Sequence, residues 1–173
     1  MEMKIYLTEF SRLFIFMVLL FSAIGKGRTF GQFKENLSQS FKVPAQWTTA
    51  LTTLIIMLEG LLAMVIFMNN QFTPLAMLCA LILFTGFTIL ISITVIQDRL
   101  VRCNCFGQDD EYISYLDIIR NVVLILACGF YVIAHETILL ETPIQLILLG
   151  MAFIAFLVIT NLKNIHTISR DPN

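Results

Sequence analysis

The densest group of chemically competent side chains is Arg102-Cys103-Asn104-Cys105-Phe106-Gly107. Two thiols at C-x-C spacing leave three chemistries open. In the first, Cys103 and Cys105 form a redox pair that cycles between dithiol and disulfide or exchanges with a partner's thiol. A bridge across one intervening residue closes a small strained ring, and strained bridges are the labile, more oxidising ones. Arg102 is adjacent, and Lys26 and Arg120 are expected at the same end of the molecule, so cations would favour the reactive thiolate. Gly107 lets the chain turn back sharply. In the second, the thiols bind metal, but a closed zinc site needs four ligands and no second Cys/His pair is near in sequence, so no metal centre is expected. In the third, they form a structural bridge or are idle thiols.

Further candidates are ionisable residues inside apolar runs, where each costs about 2.5–3.5 kcal/mol on insertion scales and so needs a partner or a task. Glu59 interrupts one such run, and Arg12 lies inside another with Glu9 at i−3. With the two runs antiparallel, Arg12 is expected to pair with Glu59 and to use Glu9 as a second acceptor. This intramembrane pair either sets helix register or gives Glu59 a proton or quinone contact. Asp117, Arg120 and Asn121 form one helical stripe in which Asp117 and Arg120, at i, i+3, can pair. Cys79 and Cys128 have matching depths and could approach each other, although packing is the simpler role. His135 and His166, isolated at run ends, read as interfacial residues.

These groups need elements to position them. The 173 residues are 58% apolar and 13% charged, against about 45–50% and about 25% in soluble domains. That excludes a soluble globular enzyme. Disorder is excluded too, and a net charge of −1 excludes nucleic-acid binding through a basic face. The apolar residues fall in five blocks, at 7–25, 48–68, 74–96, 116–134 and 143–162, each near the roughly 20 residues that a helix needs to cross a bilayer. Unbroken runs, rather than alternation, predict helices and not a β-barrel. The fold expected is an all-α membrane bundle of five transmembrane helices in one domain spanning 1–173. Phe30, Phe33, Leu37 and Phe41 recur near helical spacing, which predicts an interfacial amphipathic helix over 30–43, between the first two crossings. The first block lacks a small-x-small cleavage site and reads as a retained helix rather than a secretory signal.

Five crossings put residues 26–47, residues 97–115 and the C-terminal tail on one face. That face then holds Lys26, Arg28, Lys34, Lys42, Arg99, Arg102, Lys163 and Arg170, against Lys4 alone on the other. The positive-inside rule assigns it to the cytoplasm.

An ordered set of residues resembles the methylamine utilisation protein MauE family, within the wider DoxX-like group. The set runs from Arg12 through Phe21-Ser22-Ala23-Ile24-Gly25-Lys26, Phe33, Leu37, Val43-Pro44 and Glu59 to Cys103-x-Cys105-Phe106-Gly107 and Arg120-Asn121. The resemblance implies a four-helix core followed by a C-terminal helix, in the bacterial cytoplasmic (inner) membrane. It also implies a role in maturation or export of methylamine dehydrogenase, whose small subunit is rich in disulfides, beside a thioredoxin-like partner. A factor forming disulfides in an exported client should present its cysteines to the oxidising side, whereas the charge count turns Cys103 and Cys105 inward. The loop helix overrides the charge rule, or the loop relays reducing equivalents from inside, or the cysteines have no redox role.

Three functional classes follow. The first is a thiol-redox maturation factor using Cys103 and Cys105, with Lys26, Arg120 and Asn121 around them. The second is a non-catalytic assembly or scaffold subunit. The third is a quinone-linked oxidoreductase subunit of the DoxX type, with Glu59 and Arg12 at the head group. Transport is disfavoured by the absence of an inverted repeat.

Overall fold

The computed structural model describes residues 2–41, 44–96, 115–134 and 142–161. The cysteine pair Cys103 and Cys105 lies outside the described residues, as do His135 and His166. The described chain is all helical: α1 (Glu2–Arg28), α2 (Phe30–Phe41), α3 (Ala45–Phe67), α4 (Thr73–Ile96), α5 (Tyr115–Ala134) and α6 (Thr142–Thr160). Each of the five apolar blocks coincides with one of the five helices long and apolar enough to cross a membrane, α1 and α3–α6. The multi-pass helical membrane bundle expected from the sequence is therefore the architecture observed.

Four helices close a ring in which α1 packs on α3, α3 on α4, α4 on α5 and α5 back on α1; α6 packs against α1 from outside the ring. α1 is thus the most enclosed span, with 61% of its membrane window buried against 17% for α6. Its Ile15, Val18 and Leu19 meet a core that includes Ala63, Ala76, Ala80, Cys128 and Ala152. Such small residues let membrane helices approach closely enough for dispersion to hold them, where the hydrophobic effect gives little. α6 is held largely by rings: Phe21 stacks on Phe156, with centroids 4.7 Å apart, and tilts against Phe153 at 6.1 Å.

Polar side chains in the spans are satisfied locally where they can be. Thr8, Ser11, Thr85, Thr88 and Thr160 each donate to the carbonyl four residues back, which removes an unpaired hydroxyl from lipid without a partner helix. The tight turn from α3 to α4 uses Asn69 at φ 45°, a left-handed conformation that Asn tolerates. There Asn70 Oδ1 accepts from the Phe72 N–H, and Thr73 Oγ1 accepts from the Asn70 N–H.

α2 is helical, as its spacing predicts, but its apolar face is not simply laid on lipid. Phe33 and Leu37 are buried, and α2 packs mainly on α3. Cys79 and Cys128 are free thiols, the first exposed and the second buried.

Candidate functional site

Two buried ion pairs hang from α1, and their partners fix the register of the bundle. Toward the start of the helix, Arg12 Nε and Nη2 reach Glu9 Oε2 at 2.9 and 2.8 Å. Its Nη1 donates to the carbonyls of Ile66 and Phe67 at 2.8 and 3.3 Å. Those are end-of-helix carbonyls of α3, which lack intrahelical donors. Toward the end of α1, the Lys26 ammonium pairs with Glu59 Oε1, and Ser22 Oγ donates to Glu59 Oε2 at 3.1 Å.

The expected Arg12–Glu59 pair is therefore corrected: Glu9 takes Arg12 and Lys26 takes Glu59. Depth is the reason. Glu59 stands level with Ser22 and Lys26, and ten residues of helix separate Ser22 from Arg12, about 15 Å at 1.5 Å per residue. No arginine side chain spans that. α1 is shifted along the bundle so that Arg12 meets the last turn of α3 while Ser22 and Lys26 face its middle.

The same shift corrects the placing of Lys26. The sequence Gly25-Lys26-Gly27-Arg28 reads as the start of a loop, yet α1 continues through it and Lys26 is only 2% exposed. Its ammonium lies 4.7 Å from the centroid of Phe87 on α4 and 5.4 Å from that of Phe33 on α2. Both rings offer their negative faces to the cation. The ammonium expected to favour a thiolate is thus engaged by a carboxylate and two aromatic rings.

On α5, Asp117 and Arg120 pair at 3.4 Å, the i, i+3 contact that their spacing allows. Arg120 and Asn121 meet the Lys26–Glu59 pair across a small cleft, whose other walls are Phe84, Phe87 and Ile91 of α4. The cleft gathers four ring helices, α1, α3, α4 and α5, and all its lining residues belong to membrane-length spans. Among the described residues Lys26 and Arg120 are each matched by a carboxylate, Glu59 and Asp117. Arg12 and Glu9 are not part of the cleft.

Asn121 is 5% exposed and lines this cleft. Ser22, Phe84 and Phe87 escaped the reading of the sequence. Ser22 had a signal, since it lies one turn before Lys26 on the same face. The phenylalanines, among 15 in the chain, had none.

Membrane-length helices closed around a span that carries buried charge define a multi-pass membrane protein with a polar cleft inside its bundle. The family model described as "Methylamine utilisation protein MauE" matches residues 4–134, and the chain belongs to that family. The match runs from α1 to the end of α5 and stops before α6. Neither the curated proteins nor the solved structures give a match.

Proposed function

We propose that the protein is the membrane partner in a thiol-disulfide exchange that matures an exported client in methylamine utilisation, with Cys103 and Cys105 as the exchanging pair. As a disulfide passes from one protein to the other, two electrons and two protons pass the opposite way. The client class is an exported, disulfide-rich subunit such as the small subunit of methylamine dehydrogenase, and the working partner is a thioredoxin-like protein, both in the bacterial cytoplasmic membrane setting that the family implies.

What supports this reading is that the two helices flanking the cysteine segment in sequence also line the cleft. Ile96 and Tyr115 end the two helices that bound residues 97–114. Those helices, α4 and α5, supply Phe84, Phe87, Ile91, Arg120 and Asn121 to the cleft. Arg120 and Asn121 lie within two turns of the end of α5 from which the cysteine segment departs. Lys26 and Arg120 are each already paired with a carboxylate, so the reactivity of the pair rests on the C-x-C geometry itself.

The test is a trap. Cys105→Ser leaves Cys103 without its resolving thiol, so cells expressing it should accumulate a mixed disulfide with a second polypeptide, seen on a non-reducing gel and abolished by reductant. Growth on methylamine should fail in the same strain. Full growth by the Cys103→Ser/Cys105→Ser protein would overturn the reading and leave a non-catalytic assembly subunit. Labelling intact cells with an impermeant maleimide, before and after reduction, reports which face bears the pair and its oxidation state.

A further inference from the structure

We propose that the buried polar stripe of Thr48, Thr52 and Glu59 on α3 is a one-sided water entry to the Lys26–Glu59 pair, and that Phe33 of α2 is the gate that closes it.

The stripe is continuous. Thr52 and Thr48 precede Glu59 by seven and eleven residues, close to two and three helical turns, so all three share one face of α3. None is more than 1% exposed. Toward the start of α3 this face runs to the end of the bundle where α1 gives way to α2, and α2 packs mainly on α3. Thr48 and Thr53 donate to the carbonyls four residues back. Thr52, between them, does not, and its fully buried Oγ1 meets no partner among the described residues. A buried hydroxyl in that position calls for a water, and it stands on the line from the bundle end to Glu59.

That line ends in the cleft, which has about 20 Å³ of space beside Ser22, Glu59 and Asn121. Such a volume holds one water and nothing larger, and those side chains supply the two to four partners that a buried water needs. Phe33 stands over the pair from α2, itself buried, with its ring centroid 5.4 Å from the Lys26 ammonium. The helix that carries it has Gln32 and Glu35 exposed and is seated by the burial of Phe33 and Leu37. An aromatic face attracts the cation while the ring keeps water from it, so the closed gate is held without a hydrogen bond.

Water admitted there stops at the pair. Between Ser22 and Arg12, α1 presents Ile15, Val18 and Leu19, all fully buried in one cluster with Ala63, Ile66 and Cys128, and that layer offers water no partner. Exchange of water and protons is thereby confined to the face at which α3 begins and α4 ends. This gate does not depend on the thiol reading, and its test uses a protein without Cys103 and Cys105.

The experiment measures the water accessibility of one thiol. Thr52→Cys is added to the full-length Cys79→Ser/Cys103→Ser/Cys105→Ser protein in lipid nanodiscs, where both faces meet water. Modification by 2-aminoethyl methanethiosulfonate is followed by mass spectrometry, with the native Cys128, in the apolar layer, as internal reference. Labelling at Thr52→Cys should be slow while Phe33 is present and at least tenfold faster in Phe33→Ala. Phe33→Leu, which refills most of the volume, should lie between the two, and Cys128 should stay unmodified throughout. If Thr52→Cys does not fold, Thr48→Cys, one turn nearer the bundle end, should give the same order. An acceleration below tenfold in Phe33→Ala overturns the gate. Equal acceleration at Cys128 also overturns it, because the whole bundle has then loosened. So does labelling at Thr52→Cys, with Phe33 present, as fast as that of the exposed Cys79 in a protein that retains it, since the entry would then stand open.

Discussion

The Arg12–Glu9 and Lys26–Glu59 pairs lie on the same helix, are both buried, and differ in what surrounds them. Around Arg12 the donors are consumed: one carboxylate oxygen and two carbonyls of α3 take the guanidinium. That arrangement ties the start of α1 to the end of α3. Around Lys26 the pair is only one side of an open cleft, with aromatic rings, a second ion pair and the Asn121 amide on the others. A buried charge is thus no guide to function by itself. A charge closed off by backbone acceptors fixes helix register, whereas one bordering a cleft beside other polar groups leaves room for a further contact.

The sharpest way to probe the difference is to break each pair. Glu59→Ala leaves the Lys26 ammonium buried with only rings for company and should destabilise the protein by about 3–5 kcal/mol, read as a large drop in thermal midpoint in detergent. The double change Lys26→Met/Glu59→Leu should restore most of that stability, because well-packed apolar residues often replace a buried pair at little cost. Arg12→Met should cost less, about 2–3 kcal/mol for charge-assisted hydrogen bonds lost, since Glu9 can turn toward the near end of α1. It should leave the mixed disulfide trapped by Cys105→Ser unchanged, and loss of that adduct would erase the contrast between the two regions. Asp117→Asn weakens a pair at 3.4 Å that keeps some exposure and should cost about 1 kcal/mol. Cys79→Ser, on an exposed face, should change stability by less than about 0.5 kcal/mol. A lipid-soluble maleimide should label Cys79 well before the buried Cys128.

What the sequence could reveal followed from how local each feature is. The five spans were legible because a bilayer imposes a length, and α2 was legible from the spacing of Phe33 and Leu37. The Asp117–Arg120 contact was legible because both residues share one helix. The partners of Arg12 and Glu59 were not, since an antiparallel pairing fixes which helices face each other but not their axial offset. That offset is set by packing around Ile15, Val18 and Leu19, and it carries Lys26 from an expected rim to the level of Glu59. Two glycines flanking Lys26 masked the helix there, because glycine marks breaks in soluble proteins but is common in membrane helices.

The placement of α1 has a consequence for biogenesis. α1 carries Glu9, Arg12, Ser22 and Lys26, yet the counter-charge for Lys26 and the carbonyls for Arg12 belong to α3, which is made later. Alone in lipid, α1 is a poor passenger. The nascent chain must therefore hold it at the translocation machinery, or at the headgroup layer, until α3 emerges and the two enter as a unit. An arrest of synthesis between Arg28 and Glu59 should leave α1 extractable by alkaline carbonate, and release beyond Phe67 should make it resistant.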